Sequence, residues 1–445
     1  MSDSPEPAAA ENVSGATGDP VSAGGPASSG GPASGSVWRN PSYLRLWLGE
    51  TFSQAGEQVG TFAIPVLAVL VLDATAQEVG LLSAAETLAF LVIGLPVGAW
   101  VDRMRKRRVM MTADVVRALA LASIPLLWWL DALQIWYLYV VGAVVGGATV
   151  FFDVTYQSYV PRLVASRHMT AANSGLETSA QVARVGGPAA SGGLLAVMPA
   201  PIVVLATSIG YLFSFGFVAS IHDAEPKHQK REHSSLVRDI GEGVRFVFGT
   251  PLLRRITMMT AASNLFEGFI TTLLSLFVLK ELGLSPAVYG AMAAVGAVGG
   301  ILGAVGAPAL SRWVGEGRII VVAAVTIAVA SFLVPLTAVV PFAAIPLLVV
   351  GDFFIMFAIV VYNVAQLSFR QRICPPELLG RMNASIRFVV WGVIPIGGVV
   401  TGLLGGWIGV VPTMWLGCVL GLLATGIVVF SPLSRMRRLP ETAAA

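Results

Sequence analysis

LLSAAETLAFLVIGLPVGAWVDRMRKRRVMMTADVVRALALASIPLLWWL, residues 81–130, sets two apolar helical stretches either side of a basic knot: Arg103, Arg105, Lys106, Arg107 and Arg108. Each stretch is close to the ~20 residues that cross ~30 Å of hydrocarbon at 1.5 Å per residue. A loop that keeps its Lys and Arg is a loop retained on the cytoplasmic side. Working outward from this unit, twelve spans are predicted at 44–72, 78–101, 109–130, 133–159, 171–197, 201–221, 254–279, 286–311, 318–339, 342–370, 380–404 and 409–431. Composition agrees: 55% of the 445 residues are hydrophobic and 12% charged, against roughly 25% charged in soluble chains. Mean hydropathy is +0.77. The expected fold class is an all-α membrane protein.

The remaining cations keep to the same side. Arg162 and Arg167 fall in one even-numbered connection, and Lys227, Lys230, Arg231, Arg238, Arg245, Arg254 and Arg255 in the long central segment. Arg312 with Arg318, then Arg370, Arg372 and Arg381, then Arg435, Arg437 and Arg438 continue the series, whereas the odd-numbered connections hold only Lys280. This asymmetry places both termini in the cytoplasm. It also explains the net charge of +3 as topology, with no nucleic-acid partner implied.

Residues 1–37 carry Asp3, Glu6, Glu11 and Asp19 among Ser, Gly, Ala and Pro, with no basic residue, and read as a disordered cytoplasmic tail. Residues 222–253 form a polar linker ending in an amphipathic helix, with Leu236, Ile240, Val244 and Val247 at helical spacing. That helix suits a connector lying on the inner membrane face. A second tail covers 432–445. Cys374 and Cys418 give no disulfide framework, and His168, His222, His228 and His233 lie in polar loops as solvated residues, so neither metal nor cofactor is expected.

A displacement of 210 residues lays FFDVTYQS from Phe151 over VYNVAQLS from Val361, Ser53 over Ser263, Gln54 over Asn264, Glu57 over Glu267 and Asn173 over Asn383. Two pseudo-symmetric bundles of six helices follow, 38–221 and 254–431, joined by the linker. Parallel halves with a site at their interface describe one large transporter architecture.

At this point the chain resembles the major facilitator superfamily. GAWVDRMRKRR, residues 98–108, is similar to its cytoplasmic gate signature at Gly98, Asp102, Arg103, Lys106 and Arg107, with Arg105 where a second Gly is usual. The second copy, GAPALSRWVGEGR from Gly306, has Leu310 at the acidic position. Within the superfamily the likeness is to bacterial exporters of the enterobactin-exporter and macrolide-efflux kind. It is carried by FFDVTYQSYVPRLVASRHMTAANS, SSLVRDIGEGVRFVFGTPLLRR and NVAQLSFRQRICPPELLGRMNAS, and covers about residues 40–435. In span 5, VGGPAASGG keeps Gly187, Pro188 and Gly192 of an exporter-like element, while span 4 lacks the arginine many drug–proton antiporters carry. For the gate loop, the physical reading is a latch. Asp102 faces the positive N-terminus of span 11, and Arg103, Lys106 and Arg107 pair with acids or carbonyls across the seam between halves.

A charge at mid-bilayer costs at least about 2.5 kcal/mol and needs a partner or a wet cavity. This chain places Glu50, Gln54 and Glu57 on one face of span 1, Glu86 in span 2, Asp114 and Arg117 in span 3, and Asp153 in span 4. Glu177 and Arg184 follow in span 5, Glu267 in span 7, Asp352 in span 10 and Arg387 in span 11. Asp114 and Arg117, at i and i+3, are expected to neutralise one another. Glu57 and Glu267 hold equivalent places with no basic neighbour in sequence, and are expected to face a central chamber. There a partly desolvated carboxyl group can exchange protons near neutral pH or meet a cationic cargo. Glu50, Gln54 and Asn264 complete this candidate site.

Together these readings predict a monomeric secondary transporter of the bacterial cell membrane. It would export amphipathic small molecules (a drug, an antibiotic or a siderophore-like compound) against protons. Import or lipid translocation on the same fold is the alternative. No phosphate-cradling glycine loop, HExxH or pore-loop motif points to an enzyme or a channel.

Overall fold

A computed structural model describes residues 37–102, 104–164, 168–222, 236–375 and 378–437. Twelve long helical segments cross between two faces. Span 1 is Pro41–Leu70, span 2 is Ala76–Val92 running on into Gly94–Asp102, and span 3 is Lys106–Trp129. Span 4 is Ile135–Leu163, span 5 Met169–Val197 and span 6 Ala200–Ala219. After the linker helix Leu236–Gly249, span 7 is Pro251–Thr271, followed by Leu274–Leu276 and a π-helical turn Phe277–Glu281. Span 8 is Pro286–Val314, span 9 Glu316–Ser331 with Leu333–Leu336, span 10 Ala344–Ile373, span 11 Leu379–Ile408 and span 12 Val410–Val429. The 210-residue displacement holds helix by helix: it carries Lys106 to Glu316, Met169 to Leu379 and Ala200 to Val410, each a helix start.

Local chemistry sets these boundaries. The Asn40 side chain caps span 1 by accepting from the Ser42 and Tyr43 amides at 3.0 and 3.2 Å, and donates to the Leu163 carbonyl at 2.7 Å. Thr75 and Glu78 form a capping box at the start of span 2. Gly315 (φ 107°) and Gly409 (φ 93°) make the sharp reversals between spans 8 and 9 and between spans 11 and 12, where a Cβ would be strained.

Among the described residues, nine segments are long and apolar enough to cross a membrane by length and composition alone. Spans 1, 2 and 5 fall short of that measure. Span 1 carries Glu50, Gln54, Glu57 and Gln58; span 5 carries Glu177, Gln181 and Arg184; span 2 is interrupted at Ile93. These are helices that meet the other half or the space between halves, where polar groups have somewhere to go.

The halves close tightly on the face opposite the basic loops. A Cβ on Gly80 of span 2 would stand 2.5 Å from the Gly402 Cα and 2.6 Å from the Gly398 oxygen of span 11. A Cβ on Gly290 of span 8 would stand 2.7 Å from the Pro188 oxygen and 2.8 Å from the Gly192 Cα of span 5. Small residues let these backbones touch. Lys280, the lone cation of that face in the sequence reading, pairs with Asp73 across the two halves and reaches the Ala74 carbonyl at 3.4 Å.

The linker helix does more than lie on a surface. Val247 is buried in the core of the second half with Leu253 and Ile256, Gly243 sits on the Arg381 carbonyl, and Glu242 pairs with Arg381. It is docked on span 11. Residues 1–36 and 223–235, with His228 and His233, lie outside the described residues, as does Arg103.

Candidate functional site

The centre of the first half is built around one cation. Arg117 donates to the Asp114 Oδ1 at 2.5 Å, and the Ser214 hydroxyl of span 6 donates to Oδ2 at 2.8 Å. The guanidinium carbon lies 4.3 Å from the Phe152 ring centre and 4.1 Å from that of Tyr211. Asp114 and Arg117 are 0% and 1% exposed. A charge pair this deep requires partners of this kind, because neither ion can recover its hydration; the Arg117 Nε alone is buried without a hydrogen-bond partner among the described residues.

Around that cation stand three carboxylates. Glu50 is 3% exposed; its Oε1 accepts from Gln54 at 2.9 Å, and its Oε2 has no hydrogen-bond partner among the described residues. Glu57, about two turns further along span 1, is half-buried and within electrostatic range of Arg117, Asp153 and Arg184. Asp153 of span 4 is within range of Arg117 and of Arg387 from the other half. Arg387 lies 4.7 Å over the Trp391 ring, and Trp391 meets Phe90 of span 2 edge-on at 5.2 Å. Spans 1, 4 and 5 thus join spans 2 and 11 around a polar and aromatic zone, with charge contributed from both halves.

Glu267 departs from the expectation of a chamber-facing twin of Glu57. Its Oε2 is met by the Ser331 hydroxyl of span 9 at 3.3 Å, and it lines a cavity of about 20 Å³ between spans 7, 9 and 12, inside its own bundle. The reason is steric. Displaced by 210 residues, Arg117 and Tyr211 become Ile327 and Gly421, both lining that cavity, so room exists for the carboxylate to turn inward. Asn264 departs as well: its amide donates to the Val390 carbonyl of span 11 at 2.9 Å and ties two helices together.

Glu86 and Asp352 form a second symmetry relation. The Glu86 chain lies on Gly142 of span 4, and the Asp352 carboxylate lies on Gly296 of span 8. The 210-residue displacement exchanges them, taking Glu86 to Gly296 and Gly142 to Asp352. Each half thus holds one carboxylate over a glycine at this contact, contributed by opposite helices.

Glu177 accepts from Gln181 at 2.7 Å on the exposed side of span 5, and no ion pair joins it to Arg184 among the described residues. Gly187 abuts Gln58 of span 1, and Pro188 and Gly192 abut Gly290. The span 5 element therefore acts in close helix packing across the seam.

In the gate loop, the surroundings of Gly98 and the side chain of Asp102 lie outside what the structure describes. Lys106 donates to the Ser158 carbonyl at 3.3 Å, and Arg107 to the carbonyls of Val218, at 3.1 Å, and Ala219. These carbonyls belong to the first half. Arg107, with Arg45 on the Ser220 carbonyl at 2.7 Å, caps the negative end of span 6. The reach of an arginine to the nearest orphan carbonyls decides this.

Sequence reasoning missed the Asp73–Lys280 pair, although an isolated Lys on a face otherwise free of cations was its signal. It also missed the bidentate Arg372–Glu316 contact at 2.9 and 3.0 Å between spans 10 and 9.

Among known proteins, a family model described as transmembrane secretion effector matches residues 33–444. The multidrug efflux pump Tap of Mycolicibacterium fortuitum is 27% identical over 418 residues, covering 90% of this chain and 97% of that pump. Tap of Mycobacterium tuberculosis is 28% identical over 229 residues, 50% of this chain and 54% of the pump, so the chain spans about half the length of that relative. Among solved structures, a bacterial homologue of the iron transporter ferroportin in an inward-facing state superposes with a TM-score of 0.72 at 17% identity, covering 89% of this chain and 99% of the other. At that identity the likeness is one of fold.

Proposed function

This chain belongs to the transmembrane secretion effector family, multi-pass membrane transporters of major facilitator fold rather than enzymes, and from that premise we propose that it exports amphipathic small molecules from a bacterial cell in exchange for protons. A drug, an antibiotic or a siderophore-like compound is the class of cargo. The observation that carries this reading is the zone in which Glu50, Glu57 and Asp153 gather around Arg117 and Asp153 comes within electrostatic range of Arg387 of the other half, itself stacked on Trp391. Near-full-length similarity to a multidrug efflux pump supports the outward direction.

In this reading both termini and the basic loops are cytoplasmic. The glycine seams and the Asp73–Lys280 pair hold the outer face shut while cargo enters from the inner side. An amphipathic cation lays its apolar part on Trp391 and Phe90 and its charge against Glu57. The Glu50 Oε2, buried without a donor, is the position a proton relieves most directly. Protonation of the carboxylates weakens their hold on cargo once the halves have rocked to face outward. A proton entering through a ~100 mV potential supplies about 2.3 kcal/mol per charge. In this reading the protein acts as a monomer, since both halves that contribute charge to the zone belong to one chain.

Inverted vesicles containing the full chain, tested with an antibiotic and siderophore panel, decide the matter. Glu50→Gln and Glu57→Gln each lower proton-driven accumulation at least about tenfold, and collapse of the gradient abolishes it. Unchanged accumulation in both variants, or indifference to the gradient, sinks the proposal.

A further inference from the structure

The cavity between spans 7, 9 and 12 has a lining that accounts for its own ligand. The Ser331 hydroxyl stands within donating distance of both the Ile327 carbonyl, at 2.9 Å, and the Glu267 carboxylate, at 3.3 Å. Thr425 donates to the Leu422 carbonyl at 2.6 Å, and Ser263 meets only the Met259 sulfur at 3.8 Å. Each hydroxyl has an acceptor for its proton on its own helix, so its oxygen lone pairs are available to a bound ion. Glu267, Ser263, Ser331 and Thr425 therefore make an acceptor-rich wall around about 20 Å³.

Among the described residues no cation of the protein balances this wall. Ser331 is the hydrogen-bond partner of the Glu267 carboxylate, Asp352 of span 10 adds a second acid within electrostatic range, and Cys418 of span 12 faces it as a thiol. In the first half the corresponding ground holds a fixed cation: Arg117 stands where Ile327 lines the cavity, and Tyr211 where Gly421 does. One half carries its positive charge in the chain, and the other keeps the space and the acid.

We infer that this cavity is a binding site for a small hard monovalent cation, sodium, held by the Glu267 carboxylate and the Ser263, Ser331 and Thr425 hydroxyls. A water molecule fits a volume of this size, but it leaves the carboxylate's charge uncompensated. A proton on Glu267 removes the charge and leaves the hydroxyl lone pairs facing one another. Sodium answers both, because oxygen donors without sulfur or nitrogen are the ligand set of hard cations. Glu267 and Ser263 are half-buried at the mouth of the cavity, whereas Ser331 and Thr425 are buried at its back, so the ion can exchange. The site goes beyond the export reading and is tested without any cargo.

The test is the melting temperature of the purified full-length chain in sodium, potassium or choline chloride at equal ionic strength and fixed pH. Sodium raises it saturably over choline and over potassium, since a ligand bound only by the folded state stabilises it. Thr425→Val keeps the side-chain shape and removes one oxygen; it and Ser331→Ala weaken the apparent sodium affinity at least about tenfold while melting in choline stays near that of the parent. Equal melting in sodium and choline overturns the site. So does a sodium shift that survives in both variants, or a shift that follows pH alone and vanishes in Glu267→Gln.

Discussion

At the centre of the first bundle Arg117 is gripped by Asp114, Phe152 and Tyr211; at the matching place in the second, Ile327 and Gly421 leave a small cavity under Glu267. The two bundles share helix starts to within a residue after displacement by 210, so the framework is held constant while the side chains diverge. The comparison separates what the fold demands from what a half can be assigned. A buried Asp–Arg pair gives the first centre a fixed cation held on its own partner. An acid with space beside it makes the second responsive to whatever neutralises it. Glu57 and Glu267, identical in sequence register, accordingly face different surroundings.

The largest expected effect breaks the first centre. Arg117→Met strands Asp114 as an uncompensated buried charge and lowers stability by about 3–5 kcal/mol, read from denaturation of the purified chain. Adding Asp114→Asn recovers a substantial part of that loss. Ile327→Met, at the equivalent place in the second bundle, changes stability by under about 1.5 kcal/mol. Equal losses at the two positions would remove the distinction drawn between the centres.

Next in size is the outer seam that both halves build together. Gly80→Leu forces a side chain into the Gly398 and Gly402 backbone, an overpacking of about 1–3 kcal/mol. Because the strain exists only when the halves are closed there, it shows as opening. Thiol labelling from the outer face of Ala74→Cys, in a background of Cys374→Ser and Cys418→Ser, rises several-fold in this variant. Labelling unchanged by Gly80→Leu would mean that the contact does not seal.

The smallest effect belongs to the Asp73–Lys280 pair. The Asp73 side chain is 91% exposed, so solvent screens the attraction. Lys280→Ala and Asp73→Ala are each expected to cost under about 1 kcal/mol. A double-mutant cycle with no coupling would reduce the pair to a chance contact.

Much of this was legible in the chain, and for identifiable reasons. Span positions follow from apolar length, and the repeat follows from residue identities at a constant offset. Mutual neutralisation of Asp114 and Arg117 was expected because a helix makes i and i+3 neighbours, and the two do bond. The direction of the Glu267 side chain was not legible. It depends on residues 60 and 154 positions away in sequence, Ile327 and Gly421, which have no local periodic relation to it. Nor did the gate-loop cations reveal their partners. Lys106 and Arg107 take carbonyls whose positions depend on where spans 4 and 6 end in space.

By itself, then, the sequence determined that this protein spans a membrane in two related bundles, because hydrocarbon tolerates only long apolar helices and charge bias orients them. Tertiary structure alone decided which buried charges are satisfied and which face open space. That depends on contacts between helices far apart in the chain, where the exchange of one arginine for an isoleucine turns a filled centre into a cavity.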